Sequence, residues 1–204
     1  MPAKTLRPTQ EEMKKRIARF KDLVSTKARH AEGKGIPVEV LEMITAKSTF
    51  NIMSPENLGG TLSPKPPIIG GDAGVFRLGV VTCPPGNGPG LHVHWRTHET
   101  FMALTGKWEI IWGDKGEEKT LLEPFDVIAV PPEVTRTFVN ISDKDAHLLV
   151  IIQGTLGEFD DVGRVPETAE KIAKKFGREM VDKLEAGGWQ FTLDANAPPE
   201  AFKR

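Results

Sequence analysis

The chain has 204 residues and a formal net charge of −1, with 27 basic and 28 acidic residues. The basic residues are spread along the sequence, so no nucleic-acid partner and no anionic membrane surface is expected. A chain of this length can bury a full hydrophobic core, and its single cysteine, Cys83, excludes an internal disulfide. These properties favour one domain whose partner is a small molecule or another protein.

The sequence carries no evident targeting segment. Its N-terminal stretch lacks the apolar core of a signal peptide, and no apolar run approaches membrane-spanning length. We therefore expect a soluble, cytoplasmic protein. Tyrosine is absent from the sequence, which excludes a mechanism that needs a phenol as acid, base or cross-link.

The first predicted element is an amphipathic helix. Thr9 and Glu12 form a capping-box pattern. Apolar residues then recur at helical spacing until Gly33: Met13, Ile17, Phe20, Val24 and Ala28. The pattern predicts about six helical turns. The polar face mixes both charge signs, so we expect it to pack on the main domain or on a second subunit rather than on a membrane.

The middle of the chain alternates short apolar runs with turn-forming residues. Runs such as VEVLEMI and VFRLGVV, separated by breakers such as SPENLGG, predict short strands joined by loops. From Lys107 onward we predict a strand, a Gly-Asp-Lys-Gly turn, a strand, a Pro-Pro turn and two more strands. We expect one β domain over residues 36–157, between helical extensions at residues 1–35 and 158–204.

After Pro166 the pattern becomes helical again. Four apolar residues share one face of a predicted helix that continues through Gly177 and ends at the glycine pair 187–188. These residues are Ile172, Phe176, Met180 and Leu184.

Three histidines and a glutamate fall within eight residues in the stretch LHVHWRTHETF, in a chain with five histidines. Strand alternation places His92 and His94 on one face, and Glu99 can face them from the next strand. Two histidines and a carboxylate suit a divalent transition metal, most characteristically iron(II), with positions left open for substrate or oxygen. Zinc, manganese, nickel or copper would also accept this set.

The same stretch resembles the first motif of the cupin superfamily. All five fixed residues of that motif are present: Gly86, His92, His94, Glu99 and Gly106. The resemblance covers residues 75–153. It implies an antiparallel β-barrel of the jelly-roll, or double-stranded β-helix, type, with N- and C-terminal α-helices outside it and the site inside its mouth.

The second cupin motif is matched in part by FDVIAVPPEVTRTFVN. Pro131 and Asn140 stand where that motif expects them. Phe125 and Glu133 replace its two glycines. Arg136 replaces its histidine, which is the usual fourth metal ligand.

Arg136 leaves two arrangements open. In the first, a metal is held by His92, His94 and Glu99, and the arginine swings aside to bind an anionic group of the substrate. In the second, no metal is bound and Arg136 pairs with Glu99. A divalent ion beside a fixed guanidinium is repelled by roughly 8 kcal/mol at about 4 Å and an effective dielectric near 20.

The leading hypothesis is a small-molecule cupin that binds iron, manganese, nickel or zinc at these three ligands. Its chemistry would be oxygen insertion, isomerisation or a lyase reaction, with Glu99 and Arg136 as candidate catalytic residues. The alternative is a metal-free sensor or carrier that holds an anionic ligand through Arg136 and the histidines. A third hypothesis is a storage or structural protein with a vestigial site.

Other chemically suggestive residues are interpreted as structural. His98 lies on the strand face opposite to Glu99 and is expected at the rim or surface. Five others are expected to pack or to be solvated: His30, His147, Trp108, Trp112 and Cys83.

A homodimer is expected, because both terminal helices have larger apolar faces than a small barrel needs and cupins commonly pair through their sheets. Light scattering at micromolar concentration should therefore return twice the chain mass of 22.5 kDa. A mass near 22.5 kDa itself would contradict this expectation.

Overall fold

The computed structural model describes residues 8–14, 17–26, 34–53, 76–154 and 161–194. Within these ranges the fold is mainly β, with short helices towards both ends. The strands are β1 (Ser48–Met53), β2 (Phe76–Cys83), β3 (His92–His94), β4 (His98–Ala103), β5 (Trp108–Trp112), β6 (Glu118–Leu122), β7 (Val127–Val130), β8 (Arg136–Asn140), β9 (Ala146–Gln153) and β10 (Val162–Arg164). The helices are α1 (Gln10–Lys14), a 3₁₀ helix (Phe20–Asp22), α2 (Val38–Ile44), α3 (Pro166–Phe176) and α4 (Arg178–Ala186).

The described strands form two five-stranded sheets. One sheet has the order β1-β2-β9-β4-β7 and the other β10-β3-β8-β5-β6, and neighbouring strands are antiparallel. Apolar side chains of both sheets meet in one core, where Phe138 contacts Phe101 and Trp108 edge to face. Two antiparallel sheets facing each other across one core agree with the jelly-roll type of fold that the sequence predicts.

Both turns predicted after Lys107 are confirmed, but the single strand predicted between them is wrong, because that stretch forms two strands, β6 and β7, in different sheets. β5 and β6 form a hairpin across the Gly-Asp-Lys-Gly turn, where Gly116 donates to the carbonyl of Gly113 at 3.0 Å. The Pro-Pro turn takes the chain from β7 in one sheet to β8 in the other. The run VFRLGVV lies largely in β2, as predicted.

The prediction that VEVLEMI is a strand is wrong, because this run forms α2. Val40, Leu41 and Ile44 lie on one side of the helix and are buried against α3 and α4 in a second apolar cluster. The helical spacing of these three residues matches that cluster, and this tertiary packing outweighs the β preference of valine and isoleucine.

The predicted six-turn N-terminal helix is also wrong. Its capping box is present, since Glu12 N–H bonds to Thr9 Oγ1 and Thr9 N–H bonds to the Glu12 carboxylate. However, α1 has only 5 residues, and Phe20 begins a 3₁₀ helix that packs on the β domain through Phe50. Thr26 then bonds to the carbonyl of Thr49 on β1. An isolated helix whose apolar face is poorly covered has little stability in water. The described residues after α1 instead contact β1.

The C-terminal region differs from its prediction in two ways. The predicted continuous helix is wrong: it is divided into α3 and α4 at Gly177, whose φ of 89° is left-handed. Its predicted end is confirmed, since α4 stops at Ala186 just before the glycine pair. In addition, β10 pairs with β3 within the region predicted as a helical extension. Domain boundaries at residues 35 and 157 stay a proposal.

None of the described helices is long and apolar enough to cross a membrane.

The two motif glycines that are replaced still mark left-handed turns. Phe125 and Glu133 have φ of 76° and 66°, a region that side chains with a Cβ rarely occupy. Glu133 N–H nevertheless bonds to the carbonyl of His94 at 2.8 Å, so this turn is tied to the strand that carries the histidines. Both turns therefore keep their left-handed conformation without glycine, and the backbone at Phe125 and Glu133 is strained as a result.

Phe125→Gly should stabilise the protein by about 0.5–1 kcal/mol. The 74% exposed ring buries little, and relief of about 1–2 kcal/mol of strain exceeds the extra chain entropy of glycine. Urea unfolding measures the difference.

Gly106→Ala is the opposite control for this measurement, because at φ 70° its Cβ would lie 2.6 Å from Cβ of Ala146. This variant should be destabilised. A lower unfolding free energy for Phe125→Gly than for the wild type would contradict the strain argument.

Candidate metal centre

The predicted ligands come together between the two sheets. β3 directs His92 and His94 to the same side, and β4 brings Glu99 opposite them. Nε2 of each histidine lies 3.8 Å from Oε2 of Glu99, and one ligand atom from each of the three residues falls within 4.8 Å of the others. All three side chains are buried.

His94 is fixed by hydrogen bonds behind it. Its Nδ1 lies 3.1 Å from Oδ1 of Asp161 and 2.9 Å from Oγ1 of Thr97. Because an ionised Asp161 can only accept, Nδ1 carries the proton and Nε2 presents its lone pair to the centre. Burial, followed by the charge of Arg136, lowers the pKa of His94 to about 4, so the ring is neutral at pH 7.

His92 is oriented in the same way by the backbone. Its Nδ1 lies 2.8 Å from the carbonyl oxygen of Gly90, which can only accept a hydrogen bond. Nδ1 of His92 therefore carries a proton, and Nε2 faces Glu99. Such contacts behind the ring are typical of histidines that bind metals.

Asp161 is the main residue of this centre that the sequence did not reveal. It is fully buried and accepts hydrogen bonds from Arg96 N–H and Thr97 N–H, both at 2.7 Å. Burial alone would raise its pKa, but the bond to His94 and these backbone donors lower it to about 2. Asp161 lies 67 residues beyond His94, so only the β10–β3 pairing brings them together. Thr97, three residues after His94, was also missed, because it is not one of the fixed residues of the motif.

Arg136 pairs with Glu99, as in the second of the two arrangements open from the sequence. Its Nε donates to Oε2 of Glu99 at 3.0 Å, and its Nη1 donates to the carbonyl of Val134 at 3.0 Å. Nη2 is buried and has no hydrogen-bond partner. Burial alone would raise the pKa of Glu99, but His94 and Arg136 lower it below its usual range, so the carboxylate stays ionised.

The three candidate ligands suit a divalent ion, both in their chemical type and in the way their ligand atoms converge. Two histidines present Nε2 atoms, and the ionised carboxylate of Glu99 lies within 3.8 Å of each. Arg136 is the opposing feature, since its guanidinium occupies the carboxylate oxygen nearest to both rings and would repel a cation. The residues therefore fit a metal, with an affinity that Arg136 lowers.

A cavity of about 110 Å³ opens beside the centre. His92, His94 and Glu99 line it, and residues of both sheets form its mainly apolar wall. These wall residues include Val81, Phe138, Val150, Ile152 and Val162. In the described part of the chain, Arg136 is not among the lining residues, whereas Arg77 and Arg164 are. Neither of those arginines was singled out from the sequence.

The residues interpreted as structural behave accordingly. His98 is exposed at the start of β4, on the opposite face from Glu99, as predicted. Trp108 and Cys83 are fully buried in the main core, which confirms their packing role. His147 contacts Thr82 Oγ1 at 2.8 Å and the ring of Phe20. His30 lies outside the described residues.

A family model described as "Cupin domain" matches residues 79–152, the segment that contains the three candidate ligands and Arg136 but not Asp161. Residues 79–152 are therefore a cupin domain. Its second motif also has a structural explanation, because the side-chain amide of Asn140 bonds to the carbonyls of Cys83 and Lys144. A comparison with curated protein sequences finds no significant match.

Several solved structures are similar to this cupin over part of its length. One is a sugar phosphate isomerase from a cupin superfamily of Silicibacter pomeroyi, with 28% identity over 41% of this chain and 54% of that chain, at a TM-score of 0.36. A cupin protein from Bacteroides fragilis has 25% identity over 41% and 69% of the two chains, also at a TM-score of 0.36. The third, a structure titled as DMSP lyases RdDddP and RnDddQII, has 18% identity over 56% and 50%, at a TM-score of 0.42.

Asp161→Asn should destabilise this cupin by about 2 kcal/mol or more, measured by urea unfolding. The buried amide would turn N–H groups towards donors that now point at a carboxylate, leaving buried polar groups unpaired.

Asp182→Asn is the matched control, because Asp182 pairs with Arg178 at 3.0 Å on the exposed surface of α4. It should change stability by no more than about 0.5 kcal/mol. Equal effects of the two substitutions would show that Asp161 does not hold the centre together.

Proposed function

We propose that this cupin binds a divalent metal through His92, His94 and Glu99 and acts on a small anionic molecule in the adjoining cavity. The observation that carries the proposal is the convergence of two oriented Nε2 atoms and one carboxylate at the cavity wall. Iron, manganese, nickel and zinc are the candidate ions, because all accept mixed imidazole and carboxylate ligands.

The reaction classes that suit this centre are those of a metal-dependent dioxygenase, isomerase or lyase. A bound ion would supply Lewis acidity that polarises an oxygen atom of the substrate. The chain itself contributes an apolar wall that excludes water from the reacting group. Three ligands from the protein would leave coordination positions for substrate.

Arg136 acts on this centre through Glu99. In its paired position the guanidinium orients the carboxylate and keeps it ionised. A carboxylate held in this way is a weak proton acceptor, which supports a role for Glu99 as a ligand more than as a base. Release of Arg136 from Glu99 would free the carboxylate oxygen for an ion and the guanidinium for an anionic substrate group.

The Arg136–Glu99 pair also favours a second candidate, a metal-free binding module that serves as a sensor or carrier. A guanidinium 3.0 Å from Glu99 supplies the positive charge that an ion would otherwise supply. In this alternative the histidines and cavity arginines hold an anionic ligand without catalysis.

Calorimetric titration with Mn²⁺, Fe²⁺, Ni²⁺ and Zn²⁺ separates the two candidates. The wild type should bind one of these ions at one site per chain, and His92→Ala or Glu99→Gln should abolish binding. His98→Ala is the matched control, since it removes an exposed imidazole near the centre and should leave affinity unchanged. No binding by the wild type would contradict the metal proposal.

Arg136→His should raise metal affinity by more than tenfold in the same titration. The substitution adds an imidazole ligand and removes a repulsive charge. Loss of a residue that only hydrogen-bonds to a metal ligand already changes metal affinity about tenfold or more, so a change among the ligands themselves should have a larger effect. Equal affinity of Arg136→His and the wild type would show that the arginine does not control the site.

A further inference from the structure

Arg164 lies beside the metal centre on the edge strand β10. It is directly opposite His92 in the β10–β3 pairing, and opposite residues of an antiparallel pair project to the same side. Both residues line the same cavity. Arg164 therefore shares the cavity with the candidate ligands but belongs to neither cupin motif.

Among the described residues, the charge of Arg164 is buried without a carboxylate to balance it. The residue is only 7% exposed, and no acidic side chain in the described part of the chain pairs with it. Its Nη1 donates to the carbonyl of Val162 at 3.3 Å, and its Nε has no hydrogen-bond partner within the described ranges. Burial lowers its pKa to about 9, so the group is still charged at pH 7.

The position of the guanidinium is fixed by an aromatic ring. Its central carbon lies 4.4 Å from the ring centroid of Trp189, which is itself buried. This cation–π contact holds the guanidinium over the indole ring. Among the described residues its Nε has no hydrogen-bond partner, and the planar guanidinium can offer a carboxylate two parallel donors.

The remaining cavity limits the size and polarity of a ligand. Its wall is mainly apolar, and its volume is about 110 Å³. An apolar cavity of about 150 Å³ accommodates benzene, so a compound of about six non-hydrogen atoms or fewer is expected. Arg77 adds a second basic group from the facing sheet, in the cross-strand row that runs through Ile152 to Glu99.

We propose that Arg164 binds the carboxylate of a small, otherwise apolar organic acid in the cavity beside His92, His94 and Glu99. The inference deepens the proposed function, on which it rests for the site, by naming the ligand class and the residue that recognises it. A carboxylate on Arg164 would neutralise a buried charge, and the hydrocarbon part would contact the apolar wall. Bulky anions do not fit a cavity of about 110 Å³.

The test is calorimetric titration of the full chain with butyrate and with butyramide, its neutral analogue of similar size. The wild type should bind butyrate in a saturable manner and butyramide at least about tenfold more weakly, because hydrogen bonds to charged groups contribute more than neutral ones. Arg164→Gln should weaken butyrate binding at least about tenfold, and Arg164→Lys should recover only part of this loss.

Arg178→Gln is the matched control, because it removes the same charge from an exposed position and should bind butyrate as the wild type does. Arg164→Met tests for a purely structural role: its melting temperature should equal or exceed that of the wild type while butyrate binding is lost. Butyrate binding by Arg164→Gln that equals binding by Arg178→Gln would overturn the inference. If no Arg164 variant folds, failure of the wild type to distinguish butyrate from butyramide would overturn it.

Metal titration of the same proteins keeps the two proposals separate. Arg164→Gln should bind metal at least as tightly as the wild type does, since all three candidate ligands are retained and a positive charge is removed from the same cavity. Butyrate binding that depends on Arg164 in a chain that binds no metal would support the inference while contradicting the metal proposal. Metal binding without butyrate binding would support the metal proposal and contradict the inference about Arg164.

Discussion

The buried ion pair between Arg136 and Glu99 is the interaction on which the centre depends. Removing two charges from water is costly, and close contact at 3.0 Å with further hydrogen bonds offsets that cost. The pair holds the carboxylate between two histidines, and it also competes with any cation for that carboxylate. The same contact therefore organises the ligands and sets how strongly they bind an ion.

The charged groups around this ion pair differ between the side behind the histidine rings and the side that faces the cavity. Behind the rings, Asp161 accepts hydrogen bonds from His94 and two backbone groups, and this closed network fixes the ring. Towards the cavity, Arg164 has no such acidic partner among the described residues. The polar groups behind the histidine rings thus have hydrogen-bond partners, whereas the cavity side of the centre carries the positive charge of Arg164. A positive charge facing the cavity is expected of a site that binds an anion.

Much of the site could be predicted from sequence because its three ligands lie, with a fixed spacing, on two strands that follow each other in the chain. Alternation alone places His92 and His94 together and turns His98 away. Asp161 and Arg164 escaped prediction because they reach the centre only through the pairing of β10 with β3, which no local pattern encodes. The helix α2 escaped for a related reason: its apolar residues suit a strand locally, and only packing against α3 and α4 selects the helix.

Anomalous X-ray diffraction from crystals grown with Mn²⁺ would test the account most directly. The account predicts one strong anomalous peak within about 2.3 Å of Nε2 of His92, Nε2 of His94 and an oxygen of Glu99. The guanidinium of Arg136 should then have moved away from the ligating oxygen. A map without a peak at these residues, in which the Arg136–Glu99 contact remains intact at saturating Mn²⁺, would contradict the account.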